Sequence, residues 1–142
     1  MDRRRLLRNV LGLGVVGAAI AACRTVPMQQ EVVGEFTGRA SSATRGDQIR
    51  RAAAKQGWLV ESRGSNLMRA TMNHRTQQAV VDIPYDTERF RLRYVSSSNL
   101  NYDGTNIDSN YNTFVQRLHR AIVIEPLGRR ATPTRWCRGA WR

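Results

Sequence analysis

The sequence predicts an α+β domain in which a small four-stranded antiparallel meander carries two helices on one face, in the order αββββα. Three observations predict it. Apolar residues recur with helical spacing near both ends of the region 44–125, they alternate with polar residues in between, and turn-forming residues separate the alternating runs. The chain has 142 residues, which suffices for one such domain and not for two.

The first helix is predicted to begin at Thr44. Asp47 follows three residues later, the spacing of a capping box, in which the two side chains bond the first free backbone N–H groups. Gly57 supplies a residue that ends a helix easily in the left-handed conformation. Ile49, Ala52, Ala53 and Gln56 fall on one face of this helix, whereas Arg50, Arg51 and Lys55 point outward.

Four runs with a period of two follow, at 58–62, 67–73, 79–83 and 89–94. Short polar turns separate them, and Pro84 ends the third run because proline has no backbone donor for a sheet. The fourth run has the clearest alternation, with Phe90, Leu92 and Tyr94 predicted inward and arginines outward. The runs predict a sheet with one buried and one solvated face.

A polar stretch over 96–112 leads into the second helix. Asp108 or Ser109 can cap it, since both side chains accept hydrogen bonds from free backbone N–H groups. Apolar residues then recur at i, i+3, i+4 and i+7, which predicts that this helix packs on the same sheet face as the first. They are Tyr111, Phe114, Val115, Leu118 and Ile122.

The N-terminus has the three parts of an export signal: a basic start, an apolar run and small residues before a processing point. The run Val10 to Ala22 is too short to span a bilayer, which takes roughly 20 apolar residues. The pair Arg3-Arg4 fits either a twin-arginine signal or the ordinary basic start of general secretion, and both routes remain open.

The four residues Ile20-Ala21-Ala22-Cys23 resemble the lipobox of bacterial lipoproteins at every position. The resemblance implies cleavage before Cys23, attachment of diacylglycerol to its thiol and usually N-acylation with a fatty acid such as palmitate. It implies a cell-envelope protein that faces the periplasm and whose first partner is the membrane. Arg24 stands where an Asp would favour the inner membrane, so the outer membrane is favoured.

These features divide the chain into four parts. Residues 1–22 are the signal peptide, 23–43 the lipidated N-terminus and tether, 44–125 the globular domain, and 126–142 a basic tail. Within 23–43 the first dozen residues are expected to form the tether itself, and residues 32–40 are compatible with a short strand. The tail holds Trp136, Trp141, five arginines and no acid, and it is too short to fold alone. With Cys23 lipidated, Cys137 is left without an intramolecular disulfide partner.

A second resemblance covers residues 96–118. The residues Ser98-Asn99-Leu100-Asn101-Tyr102, then Ile107, Tyr111-Asn112, Phe114-Val115 and Leu118, resemble a motif of a group of small bacterial lipoproteins of unknown function. In that group a His usually stands at the position of Asp108 and a Trp at that of Phe114, so a role of the His is not carried over. The resemblance implies a fold and a compartment, and no activity.

The formal net charge of +12 falls to +9 without residues 1–22. An exported protein rarely meets nucleic acid, so anionic lipid heads, lipopolysaccharide or cell-wall carboxylates are the expected acidic partners. Arg89, Arg91 and Arg93 form either a docking surface for such a partner or a solvated face whose arginines pair across strands with Asp82 or Glu61.

The polar stretch gives a second candidate surface, composed of Asn99, Asn101, Tyr102, Tyr111 and Asn112. Such side chains bind glycan or peptide by hydrogen bonds and stacking. They can equally pack the loop against the sheet and satisfy its own backbone. Both interpretations stay open at this point.

The sequence contains no catalytic signature, cofactor motif or metal-ligand spacing. There is no G-x-S-x-G or H-E-x-x-H, and the calcium-loop spacing from Asn101 ends on Asn112 where a bidentate Glu is required. We therefore expect a non-catalytic interaction or structural module that binds another envelope protein. The alternative is a binding module for anionic envelope glycan or lipid, and a hydrolase with an unrecognised site is the third candidate.

Overall fold

The computed structural model describes residues 24–128 as two helices and seven strands. The predicted signal peptide (residues 1–22), Cys23, Cys137 and the tail from residue 129 lie outside the described residues. The elements are β1 (Thr25–Pro27), β2 (Glu31–Glu35), α1 (Ser42–Lys55), β3 (Trp58–Gly64), β4 (Leu67–His74), β5 (Gln77–Pro84), β6 (Arg89–Ser98), β7 (Asn106–Asp108) and α2 (Ser109–Ile124).

The main sheet is antiparallel, with five strands in the order β2-β6-β5-β4-β3. The predicted α+β class, the antiparallel meander β3 to β6 and the two helices are confirmed. The predicted number of strands is wrong: β2 adds a fifth strand beside β6, and β1 pairs with β7 in a separate two-stranded sheet.

The segment 23–43, expected to be a tether, contains two strands and the first two residues of α1. Glu31, Val33 and Glu35 lie opposite the three arginines of β6, whereas Val32 and Gly34 turn towards the core side. A five-residue run with two carboxylates has little strand signal of its own. It becomes a strand because β6, about sixty residues later in the chain, offers it a backbone hydrogen-bond partner, a core face for Val32 and Gly34, and arginines opposite its carboxylates.

Helix α1 begins two residues before the predicted start. Its N-cap is Ser41, whose hydroxyl accepts a hydrogen bond from the backbone N–H of Thr44 at 3.3 Å. Asp47 bonds Arg50 rather than the helix start, so the proposed capping box is wrong. The predicted end is confirmed, because Gly57 follows the helix with a φ of 80°.

The core lies between one face of the main sheet and the two helices. Beyond Tyr94 the register between β5 and β6 shifts at Val80 and Val81, so that Ser97 lies opposite the buried Ala79 and its hydroxyl contacts that of Tyr94. The predicted helix α2 is confirmed, with Asp108 as its N-cap and all five of its expected core residues buried. From the sheet, the buried residues are Trp58, Met68, Ala70, Ala79, Val81, Ile83, Phe90 and Leu92.

The helices are joined by polar contacts at their ends. The Gln48 side-chain amide, 1% exposed, donates to the backbone oxygens of Ile122 at 3.0 Å and Glu125 at 2.9 Å. The Glu125 carboxylate contacts Lys55 at 2.8 Å and Arg51 at 3.3 Å. These hydrogen bonds and ion pairs lower the pKa of Glu125 below its usual range, with the Lys55 hydrogen bond as the largest cause.

Arg45 is a fully buried cation that the sequence did not reveal. Its guanidinium lies 4.4 Å from the ring centre of Phe36 and donates to the backbone oxygens of Thr37, Gly38 and Thr87. Burial lowers the pKa of Arg45, but an arginine stays charged at any physiological pH. It thereby fixes the loop after β2 against the turn between β5 and β6.

We expect Gly34→Ala to destabilise the protein by about 2–3 kcal/mol, as overpacking of a core does. A Cβ at Gly34 would lie 2.2 Å from Cζ of Phe90, whose ring is held by Phe36 and His119 at centroid distances of 5.1 and 5.5 Å. Denaturant unfolding measures the change. Val33→Ala on the same strand, where the side chain is 52% exposed, should change stability by less than about 0.5–1 kcal/mol. Equal effects of the two substitutions would contradict the close contact.

We expect Glu125→Gln to cost about 1–2 kcal/mol at pH 7, because a largely buried carboxylate loses charge-assisted hydrogen bonds. The folded-state pKa is lowered, so the stabilisation is present above the unfolded pKa of about 4.3 and is lost as the pH falls through the folded pKa. Urea unfolding of wild type and variant from pH 7 downward should therefore show converging stabilities. The matched control is Glu88→Gln, which removes an exposed carboxylate and should change stability little at any pH. A destabilisation by Glu125→Gln that persists at low pH would contradict the ion-pair origin.

Candidate functional site

The three arginines of the predicted docking surface lie exposed on the outer face of β6, and each has an acidic partner on β2. Arg89 contacts Glu35 at 3.4 Å. Arg91 and Arg93 share Glu31, at 3.3 and 3.2 Å. Cross-strand pairing is thus the observed arrangement, with β2 as the source of the acids rather than Asp82 or Glu61.

The pairing continues across the whole sheet as a row of alternating charge. In register, the row runs through Glu31, Arg93, Asp82, Arg69 and Glu61, one residue from each strand. Arg69 donates two hydrogen bonds to the Asp82 carboxylate, at 2.7 and 3.0 Å, which raise the pKa of Arg69.

The outer face is balanced in charge. Its register pairs comprise four arginines and four carboxylates, so these residues add no net charge; Arg63, at the bulge of β3, stands outside the register. Each exposed pair contributes little to stability, since solvent screens it. The face therefore presents an ordered pattern of both charges. The positions are Arg69, Arg89, Arg91, Arg93, Glu31, Glu35, Glu61 and Asp82.

The asparagines of the second candidate surface shape the connection between β6 and β7. Asn99 and Asn101 have φ angles of 55° and 49°, in the left-handed region that asparagine tolerates better than most residues. The Asn99 amide donates to the backbone oxygen of Thr76 at 2.6 Å. Asp103 accepts from the backbone N–H groups of Thr105 and Asn106, which lowers the pKa of Asp103.

The tyrosines of that surface occupy different environments. Tyr111 is fully buried, packs edge-to-face on Tyr94 at a centroid distance of 5.5 Å, and has a pKa raised chiefly by burial. Tyr102 lies on the other side of Tyr94, at 4.9 Å, and remains 37% exposed. Tyr102 is therefore the tyrosine of this group that solvent and a partner can reach.

Asn112 holds the N-terminal segment on α2. Its side-chain amide donates to the backbone oxygen of Pro27 at 3.0 Å, and its side-chain oxygen accepts from the backbone N–H of Gln29 at 3.3 Å. Both functions of the amide are thus used to fix the chain between β1 and β2. A structural role accounts for the Tyr-Asn pair of the motif at residues 111–112.

The structure thus separates the predicted site residues into three groups. The arginines lie on the outer face, Asn99 and Asn101 in the connection to β7, and Tyr111 and Asn112 under the N-terminal segment. Only at Arg93 and Tyr102 do the two predicted surfaces meet, along a shallow depression of about 350 Å³. That depression is also lined by Met28, Gln30, Glu31 and Tyr94.

The sequence did not predict a cleft of about 430 Å³ that lies beside the α1–β3 turn, between the start of β3, the end of β4 and the start of α2. Trp58, Met72 and Phe114 supply its apolar lining, Arg117 a cation, and none of its lining residues is acidic. The buried Nε1–H of Trp58 has no hydrogen-bond partner among the described residues. Trp58, directly after the glycine that ends α1, was the available sequence signal for this cleft. It was not sufficient, because the other walls come from strands and a helix that are distant in sequence.

The described part of the chain holds neither a metal-binding cluster nor a membrane-spanning helix. Within residues 24–128 there is no group of three His, Cys, Asp or Glu side chains placed to hold a metal ion. Neither α1 nor α2 has the length and apolar character needed to cross a bilayer. Asp108, at the position where the resembling motif has His, caps α2 by accepting from the backbone N–H of Asn110 at 2.9 Å.

Comparison with known proteins returns no matching family, no matching curated protein and no matching solved structure.

We expect the charge balance of the outer face to control its affinity for anionic polymers. Replacing Glu31 and Glu35 together by Gln leaves Arg89, Arg91 and Arg93 without partners and should raise retention on anionic vesicles or purified cell wall at low salt, because the cations become available.

An arginine variant replaces the three arginines together with Glu31 and Glu35 by Gln, so that whole pairs are removed. It should leave retention within about twofold of wild type, since paired surface charges attract weakly. Co-sedimentation at two salt concentrations measures both. A large loss in the arginine variant, with no gain in the glutamate variant, would establish the arginines themselves as the binding surface.

Proposed function

We propose that this chain is a bacterial envelope lipoprotein, anchored by lipid on Cys23 and facing the periplasm, whose domain is a non-catalytic interaction module. The observation that carries the proposal is the sequence Ile20-Ala21-Ala22-Cys23 behind a basic and then apolar N-terminus. The outer membrane is favoured over the inner because Arg24 follows the cysteine. The membrane is the first partner, and the second is another envelope protein.

The geometry of the domain supports interaction rather than catalysis. The polar side chains singled out from the sequence are largely engaged in fixing the fold: Asn112 holds the N-terminal segment, Asn99 holds a turn, and Tyr111 lies in the core. A hydrolase needs a nucleophile or an activated water beside a base. No such pair was singled out from the sequence, and these residues do not supply one.

The outer face has the composition of a protein-binding surface. Transient interfaces are about as apolar as ordinary surface and gain specificity from complementary charge patterns. The alternating row of charges supplies such a pattern, and Val33 and Leu59 add exposed apolar side chains, at 52% and 66% exposure. Strand β3 ends the sheet, so its outer backbone groups can pair with a strand of a partner.

A second candidate function, binding of anionic glycan or lipid, is favoured by one observation. Residues 129–142 carry five arginines without an acid, which is five of the nine net charges that follow the signal peptide. Arginine beside Trp136 and Trp141 suits an anionic membrane interface. The outer face of the sheet, with its balanced charges, contributes little to this candidate.

Lipidation is tested by Cys23→Ser. We expect the wild type to incorporate labelled palmitate and to fractionate with membranes, whereas the variant loses the label and leaves the membrane fraction unprocessed or mislocalised. Cys137→Ser is the matched control and should keep both label and location, because residue 137 lies outside the lipobox. Palmitate incorporation that persists in Cys23→Ser would remove the proposed anchor.

The partner is sought by chemical crosslinking in intact envelopes, followed by affinity capture of the wild type and of a variant with Arg69, Arg91 and Arg93 changed to Glu. We expect a protein partner that is retained by the wild type and lost by the variant, because the row of alternating charges becomes uniformly acidic. Capture of cell-wall polymer by both proteins would favour the second candidate.

A further inference from the structure

The chain is held on the domain from the first residue after the proposed anchor. The backbone oxygen of Arg24 accepts a hydrogen bond from the backbone N–H of Ser109 at 3.0 Å. Strand β1 then pairs along its whole length with β7, and Met28 donates to the backbone oxygen of Thr105 at 3.0 Å. A flexible tether is therefore not present between Arg24 and the domain.

This arrangement limits how far the domain can stand from Cys23. Two peptide units separate Cys23 from Thr25, so their Cα atoms lie at most about 7 Å apart. A flexible tether of about a dozen residues would allow a separation of roughly 20 Å. The end of the domain that carries Arg24 must consequently lie close to wherever the lipid on Cys23 is inserted.

Other residues share that end, as a set of hydrogen bonds shows. Asn110, in the first turn of α2, donates to Gln77 at the start of β5 at 3.1 Å. Asn99, after β6, donates to the neighbouring Thr76 at 2.6 Å. We call this surface the anchor end; its members, all exposed, are Arg24, Arg75, Thr76, Asn99 and Asn110.

We propose that the anchor end is a membrane-docking surface that meets the headgroup layer of an anionic bilayer, a proposal that rests on the proposed lipidation of Cys23. Its side chains are polar and two are cations, so they fit headgroups rather than the hydrocarbon interior. Arg24 and Arg75 have no ion pair within the described residues, unlike the arginines of β6. The nearby carboxylate of Asp108 is engaged at the start of α2.

Docking at this end fixes where the other surfaces lie. Strand β5 runs from the anchor end to Pro84, and its eight residues place the β5–β6 turn about 23 Å away along the strand. Arg89 lies about 30 Å along β6 from Ser98, by the same rise per residue. That exceeds the screening length of about 8 Å, so Arg89 adds little to lipid attraction.

The test uses the full lipoprotein, purified with its lipid from bacterial membranes and reconstituted in nanodiscs that contain an anionic lipid and a headgroup spin label. A fluorescent label is attached at Thr76→Cys or at Glu88→Cys, each combined with Cys137→Ser so that the introduced thiol is the free one. We expect quenching at position 76 at least about threefold stronger than at position 88, because the two ends lie more than about 20 Å apart.

A linker variant is the matched control. Insertion of about twelve Gly and Ser residues between Cys23 and Arg24 keeps both labels and the whole domain but restores a flexible tether. It should reduce the difference in quenching between the two positions to less than about 1.5-fold if the short connection causes the docking.

The outcomes separate the two proposals. Mass spectrometry that finds Cys23 unmodified overturns the proposed function and this docking surface together. A lipidated protein whose labels are quenched equally, or more strongly at position 88, overturns the docking surface alone. A difference that survives the linker insertion supports docking through the side chains of the anchor end themselves, because the domain then finds the same orientation without the short connection.

Discussion

The pairing of β2 with β6 is the interaction on which the rest of the structure depends. It converts β6 from an edge strand into an interior strand and brings Glu31 and Glu35 beside the arginine row. On the other face it sets Gly34 against Phe90, so the ring fills the space that a side chain would otherwise need. It also returns the N-terminal segment to the domain, where Asn112 and β7 hold it. Without β2 the arginines of β6 would lose their carboxylate partners, the ring of Phe90 would be exposed at the sheet edge, and the N-terminal segment would lose its pairing with the main sheet.

The same pairing changes where the positive charge of the protein acts. Residues 24–128 contain 14 basic and 10 acidic residues, a net charge of +4. The outer face accounts for none of that excess, and one cation, Arg45, is buried among carbonyl oxygens where no partner can reach it. The positive net charge of residues 24–128 is therefore not spread evenly over the surface of the domain. The unbalanced charge lies instead at separate places, such as the anchor end and the basic sequence after residue 128.

Local signals predicted the parts of the fold that depend on neighbours in sequence. The helix α2 has a cap and an apolar face within sixteen residues, and the meander β3 to β6 has turns of two to four residues between alternating runs. Strand β2 was expected only as a short strand somewhere within 32–40, because its bounds and register depend on pairing with β6, more than fifty residues away. The site residues follow the same rule. The polar composition of the stretch around Asn112 suggested a ligand surface, but the Asn112 side chain bonds Pro27 and Gln29, more than eighty positions away, and so stabilises the fold.

A short connection to the membrane has a consequence for any partner of the outer face. Association costs translational and rotational freedom, and part of that cost is already met when one component is held on a surface in a restricted orientation. With docking at the anchor end, β5 and β6 lead away from the bilayer, and the row from Glu31 to Glu61 crosses those strands. The row is then presented sideways, to a neighbour that stands on the same membrane. A long tether would allow every orientation and would dilute this effect, as effective concentration falls with linker length. The brace at β1 thus links the proposed anchor to a face that the pairing of β2 with β6 creates.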